Sequence, residues 1–415
     1  MTKTWLGSGI QAICLVLLTC ITSFSQQFDL LLKNGHVFDA RNGIDEVMDI
    51  GIAADTIAAI EKNIDTTKAR KIVDLLGYFV SAGFIDIHTH VFVGSEIGKF
   101  ANGINSLSPD NFTFKAGVTT VVDAGTAGWK NFELFKKQVV DQSKTRVLSF
   151  INIAGTGMIG KPGEENLGEM KVDEISRLVR KYPEIIVGVK IGHFEQPSWA
   201  PFDLAIQACE ENNLPLFVEC HLPDYSLQDQ LDKMRPGDII THSFEDVADR
   251  MPVVGDNGIV RPFVLEAKER GILFDVGHGG AGFWFSQAVP AFEQGLWPNS
   301  FGTDLHRFSM NAGMKDMLNV MSKYLAIGMP LRDVLTRATW YPAKSIGRID
   351  LGNLSPGHSA DIAVIKLEEG NFGYVDAGGN RIRGTQKLQA ELTIRAGQIV
   401  WDLNGLTAKP FFDEE

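Results

Sequence analysis

From Gly83 onward the chain alternates short apolar runs with amphipathic stretches, eight times in succession, and this rhythm restricts the available folds more than any other feature. The apolar runs are Gly83–His88, Val118–Ala124, Val147–Ile153, Ile185–Ile191, Leu214–His221, Asp238–His242, Ile272–Val276 and Ser300–Asp304. Between them lie segments of helical period such as Val172–Lys181, Phe202–Asn212 and Pro262–Arg270. Two further helices are expected at Met314–Ile327 and Leu331–Ile346. Parallel strands covered on both faces read as continuous apolar runs, so eight β-then-α units predict a closed (β/α)8 TIM barrel over residues 81–348.

The flanks read differently. Residues 26–80 hold short strands around Phe28–Lys33, Asp49–Ala53, Thr56–Ile60 and Ile72–Asp74, with Asn34-Gly35 read as a hairpin turn. Residues 349–415 return to strand character at Asp361–Ile365, Ala390–Ala396 and Gln398–Trp401. Together they predict a small discontinuous β-sandwich domain formed by both chain ends. Residues 1–25 read as a signal peptide: Lys3, an apolar stretch from Ile10 to Ile21, then Ser23-Phe24-Ser25. Cleavage after Ser25 implies an exported, periplasmic or secreted protein with no stable membrane insertion, although an uncleaved anchor stays open. Beyond the leader only Cys209 and Cys220 remain, expected as buried thiols, with one disulfide as the alternative. A net charge of −12 repels phosphate backbones and argues against a nucleic-acid partner. The expected partner is a small-molecule substrate; a homo-oligomer stays open.

In a barrel, side chains at the carboxyl ends of the strands converge on one mouth. The first strand ends Asp86-Ile87-His88-Thr89-His90, and strand alternation turns His88 and His90 the same way. Strand five ends at His221, strand six at His242 and strand eight at Asp304. Each alone reads more readily as a structural residue; together they predict a metal site. Lys190 lies in the apolar strand Val187-Gly188-Val189-Lys190-Ile191. A buried ammonium beside divalent cations is repelled, and carboxylation by carbon dioxide to N6-carboxylysine would turn it into an anionic bridging group. An outward salt bridge is the alternative. Gly277-His278-Gly279-Gly280-Ala281-Gly282 lacks a following Lys-Ser or Lys-Thr and is read as a close-approach loop, not a phosphate loop.

These residues resemble the amidohydrolase superfamily, specifically its binuclear carboxylated-lysine branch and the dihydroorotase-like deacetylase group. The resemblance rests on Gly83-Phe84-Ile85-Asp86-Ile87-His88-Thr89-His90, on Gly302-Thr303-Asp304-Leu305-His306, on Asp275-Val276-Gly277-His278-Gly279 and on the return segment Leu351–Asp361. It implies that His88, His90 and Asp304 hold a more buried metal and that His221 and His242 hold a more exposed one. The carbamate of Lys190 and a hydroxide would bridge the two ions, Zn2+ being the expected metal. The implied activity is hydrolysis of an amide, a cyclic amide or a small acyl ester, with Asp304 moving the proton. His278 is the expected donor to the oxyanion and His193 a further catalytic candidate. His306, Lys161 and Trp129 are candidate substrate contacts, Lys161 for a substrate carboxylate, and Trp199 is a second candidate apolar wall. Two other readings are a mononuclear deaminase of a nucleobase-like ring, which has no carboxylated lysine, and a non-catalytic scaffold relative.

Overall fold

The computed structural model describes residues 1–2, 26–94, 105–219 and 225–411. Nearly all of the expected leader, and His221 and Cys220, lie outside those residues. Seven parallel strands pair in sequence order: Phe84–Thr89, Val118–Gly128, Arg146–Asn152, Ile186–Gly192, Leu216–Glu219, Ile239–Ile240 and Leu273–Phe274. Most of their side chains are buried, as expected where helices cover one face and the barrel interior the other. The eighth segment, Ser300–Asp304, forms bridges in place of a continuous ladder. Val276 N donates to Ser300 O at 3.1 Å and His278 N to Gly302 O at 3.0 Å on one side. On the other, Leu305 N donates to His88 O at 3.3 Å and His90 N to Leu305 O at 2.9 Å. The parallel sheet is thus curled until its first and last members meet. Asp304 has a left-handed φ of 49°, which ends regular pairing at the point where its carboxylate turns into the mouth.

The helices follow from local chemistry. Val172–Lys181 buries Val172, Ile175, Leu178 and Val179 along one stripe, with Asp173 and Glu174 in its first turn and Arg180 and Lys181 in its last. The continuous helix expected over Leu331–Ile346 is two helices, Leu331–Ala338 and Trp340–Ser345. Pro342 has no N–H for the carbonyl of Ala338, and its ring would strike that carbonyl, so the first helix stops there.

Both chain ends enter one eight-stranded sheet. Its order runs Gln398–Asp402, Arg381–Arg395, Ile362–Val375, Phe79–Ala82, Phe28–Asp39, Ile44–Ala53 and Thr56–Glu61, with Ala69–Asp74 paired to Phe28–Asp39. Leu32, Val37, Ile50, Val80, Ile362 and Leu392 share its core. The hairpin expected at Asn34-Gly35 is instead a bulge inside Phe28–Asp39. Asn34 takes φ 61°, and Asp49 accepts from both its N–H, at 3.0 Å, and Lys33 Nζ, at 2.5 Å, which absorbs the extra residue without reversing the strand.

Asp361 joins this sheet to the barrel. Its carboxylate meets Arg146 of barrel strand three, Arg395 Nη1 at 3.2 Å and Ala396 N at 2.8 Å. Burial alone would raise its pKa, but the two guanidinium groups hold it below the usual carboxylate value. A depressed folded-state pKa contributes stability above the unfolded pKa, which is lost as pH falls through the folded one. Asp361→Ala should therefore lower the unfolding free energy at pH 7 by about 3–5 kcal/mol, since it leaves two part-buried arginines uncompensated. In urea unfolding as a function of pH, the gap to wild type should narrow as pH falls below 3.8, the ordinary aspartate value.

Candidate metal centre

Three imidazoles at the barrel mouth are oriented through the same ring atom. His88 Nδ1 lies 2.8 Å from Thr241 Oγ1, and that hydroxyl donates to Asp275 Oδ2 at 2.8 Å. The threonine proton is therefore spent, so Nδ1 of His88 must be the donor and Nε2 carries the lone pair. Asp275 is fixed in turn by Ser300 Oγ at 2.5 Å and Gly302 N at 2.8 Å. His242 Nδ1 donates to Gly277 O at 2.5 Å, which leaves its Nε2 facing inward. His90 Nδ1 pairs with Thr126 Oγ1 at 3.0 Å. Outer-shell acceptors on Nδ1 are what fix imidazole tautomers around metals.

Two carboxylates meet these nitrogens. Asp304 Oδ1 lies 3.0 Å from His90 Nε2 and 3.5 Å from His88 Nε2. Glu219, at the end of strand five, places Oε1 3.0 Å from His242 Nε2 and Oε2 3.8 Å from His88 Nε2. Two ligand groups result, His88–His90–Asp304 and His88–Glu219–His242, with the donor atoms of each within 4.8 Å of one another. The donor chemistry fits divalent cations. His88 Nε2 is fully buried and has no hydrogen-bond partner among the described residues. Burial also pushes its pKa down to about 4, so the ring is neutral and its lone pair available.

Charge reinforces this fit. Burial would raise the pKa of both carboxyl groups, yet Asp304 is held well below the usual range by His88 and His306. Glu219 is held well below it by Lys190, His193 and His242. Burial would lower His242, but Glu219 outweighs it and pushes the pKa up to about 9. A carboxylate at that distance asks for positive charge on Nε2, which a proton or a metal ion can supply.

Glu219 is the site residue that sequence reasoning missed. Lys190 has no exposed surface; its Nζ contacts Glu219 Oε2 and sits 5.1 Å over the Phe217 ring. Lys190 thus turns inward, as expected of a bridging group, but an acid is already there to pair with it. The missed signal was parity: Glu219 is two residues from Phe217 and shares the strand face that packs against His88.

The other expected residues are placed as follows. His193 lines the mouth with Nδ1 3.2 Å from Glu164 and Nε2 3.3 Å from Glu219. Desolvation would lower its pKa, but the two carboxylates push it up to about 10. His306 Nε2 lies 3.6 Å from Asp304 Oδ2. His278, expected as an oxyanion donor, is turned into the protein: Nδ1 lies 3.1 Å from Gly279 O and Nε2 2.6 Å from the buried Lys323 Nζ. Lys161, expected at a substrate carboxylate, pairs with Glu195 and lies 3.4 Å from Glu165. Trp129 donates from Nε1 to Glu169 O at 2.7 Å, and Trp199 packs against Tyr225 with ring centroids 4.7 Å apart. His278, Lys161, Trp129 and Trp199 are absent from the lining of the cleft over the candidate ligands.

Residues 290–400 match the amidohydrolase family. A deacetylase from Brucella anthropi is 31% identical over 345 residues, covering 81% of this chain and 83% of the relative. A solved structure described as an adenine deaminase superposes with a TM-score of 0.82 at 28% identity, over 90% of this chain and all of the other. One described as a dihydroorotase gives 0.76 at 27%, over 90% of this chain and 99% of the other.

Thr241 is the cleanest handle on the constellation because it touches a ligand without being one. Thr241→Val keeps the shape and removes the acceptor on His88 Nδ1. Its affinity for divalent metal, measured by chelator competition, should fall roughly 10–100-fold while the fold is retained.

Proposed function

Because the chain belongs to the amidohydrolase superfamily, we propose that it is a metal-dependent hydrolase of the deacetylase kind, removing a small acyl group from an amide nitrogen or an ester oxygen. The observation that carries this reading is the convergence of the Nε2 atoms of His88, His90 and His242 on Asp304 and Glu219 at the barrel mouth. His88, His90 and Asp304 would hold one divalent ion; His242 and Glu219 would hold a second, with His221 as an additional expected ligand outside the described residues. Imidazole nitrogen with carboxylate oxygen suits Zn2+ and other first-row divalent ions. Bound there, such ions supply Lewis acidity toward a carbonyl and lower the pKa of a coordinated water.

The chain's own groups do the rest. Asp304 bonds through Oδ1 to His90 and faces His306 with Oδ2, so a proton taken by the carboxylate has a route toward the leaving group at the mouth. His193 lines the mouth with Nδ1 engaged by Glu164 and Nε2 by Glu219; it would donate from Nε2 to the substrate carbonyl or its developing anion only once Glu219 is drawn away to a bound ion. Gly279 lets the loop pass directly over Asp304: a Cβ there would lie 2.1 Å from Oδ2. Lys190 is proposed to be carboxylated when both ions are bound. Its amine would add to carbon dioxide and release a proton, giving an anion that faces Glu219 and is tolerable only between cations. Export through a leader at residues 1–25 is part of the same proposal.

A deaminase reading draws on the adenine deaminase superposition. It predicts one metal per chain, insensitive to Lys190→Ala, whereas the two-metal hydrolase predicts two, one of which is lost in that variant. Elemental analysis separates them, and a carbamate carbon resonance after labelling with 13C-bicarbonate tests the modification. On the hydrolase reading, a screen of N-acyl amino acids, acylated hydroxy acids and cyclic ureides should release acid from one class. Asp304→Asn should keep its metal better than it keeps turnover, which should fall roughly 100-fold or more. Turnover near wild type would remove Asp304 from proton transfer.

A further inference from the structure

The cleft above the metal ligands has a volume of about 340 Å³ and an uneven charge. Its wall carries Glu195, Glu219, Glu245 and Asp304, and among the described residues that line it Arg250 is the only lysine or arginine. The nearby lysines are committed elsewhere: Lys161 to Glu195 and Lys190 to Glu219. Apart from the imidazoles of His193, His242 and His306, the described lining offers an anionic substrate one cationic side chain, Arg250.

Arg250 is held for such a contact. Its Nη1 donates to Glu245 Oε2 at 2.5 Å, and Glu245 N donates to His242 O at 3.2 Å. The guanidinium is therefore tied, through one acid, to the same turn that carries a metal ligand. Its side chain is 27% exposed, and neither Nε nor Nη2 has a hydrogen bond to a described residue. A planar fork with spare parallel donors beside a reacting centre matches a carboxylate.

We infer that Arg250 receives the carboxylate of the substrate while the scissile carbonyl lies at the metal ligands. This rests on the hydrolase reading and narrows it: the substrates are open-chain acylated α-amino or α-hydroxy acids, not uncharged cyclic amides or nucleobase rings. Glu245 acts as the positioning residue, aiming the guanidinium without using all of its donors.

The test compares each acid with its own primary amide, which keeps size and removes the charge: racemic N-acetylalanine with N-acetylalaninamide, and racemic O-acetyllactate with its amide. Wild type should favour the acid in at least one pair. In Arg250→Gln the acid-to-amide ratio of kcat/KM should fall roughly 10–100-fold, mostly through KM, because the contact is equally present before and during reaction. Arg250→Lys should keep part of the preference, since charge survives and the fork does not. Metal content measured on every variant checks that the centre is intact. An unchanged ratio in Arg250→Gln with full metal content, or no preference in wild type, overturns the inference. Hydrolysis of cyclic ureides alone overturns the inference and leaves the hydrolase reading standing. If wild type hydrolyses none of the four nor any member of the three-class screen, the hydrolase reading fails instead. Calorimetric binding of each acid and amide to wild type and Arg250→Gln then decides the role of Arg250, with equal binding counting against it.

Discussion

The centre depends on hydrogen bonds that spend the Nδ1 atoms of His88, His90 and His242 on oxygen atoms of the barrel wall. An imidazole left to itself exchanges tautomers and rotates about χ2, and three such rings do not present three lone pairs to one point. Here the choice is removed. Thr241 and Asp275 dictate it for His88, and the Gly277 carbonyl dictates it for His242. The direction of force thus runs from the strand ends inward: the closing segment fixes Asp275, Asp275 fixes Thr241, and Thr241 fixes the ligand.

The backbone around the site is strained in a way that supports this reading. His193, His242 and Asp304 all have positive φ, at 57°, 51° and 49°, an arrangement that costs side-chain-bearing residues of order 1–3 kcal/mol each. All three lie at strand ends and present polar groups to the mouth. For Asp304 the ring closure braces the backbone from both sides, through His278 N to Gly302 O and Leu305 N to His88 O. Lys323 belongs to the same bracing. Its buried Nζ bonds His278 Nε2 at 2.6 Å and Gly313 O at 2.7 Å, which steadies the glycine loop that presents its carbonyl to His242.

Much of this was legible in the sequence because it was written in periods and positions. Strand-helix alternation announces a parallel barrel, and His88, His90, His242 and Asp304 gain meaning only from standing at strand ends. What was not legible depended on where a side chain turns inside a dense region. Glu219 was overshadowed by His221, although both share a parity. His278 stands at a strand end with glycines on both sides, but the ring folds back toward Lys323. That lysine sits in a helix, Met317–Ala326, whose pattern gave no reason to expect a buried lysine. Arg250 lies in an irregular stretch after strand six, where neither periodicity nor motif marks it. Asn34-Gly35 shows the converse error: a turn-forming pair absorbed as a bulge because Asp49 offered it partners.

The central claim is that these strand-end side chains form a divalent-metal centre. The most direct measurement is anomalous diffraction from crystals of the protein grown with Zn2+, collected on both sides of the metal edge. The account predicts two peaks about 3.5–4 Å apart, the spacing usual for paired metals. One should be ligated by Nε2 of His88 and His90 and by Asp304, the other by Nε2 of His242 and by Glu219. Absence of anomalous density among these groups, with His88 Nε2 instead hydrogen-bonded to protein or water, would contradict it.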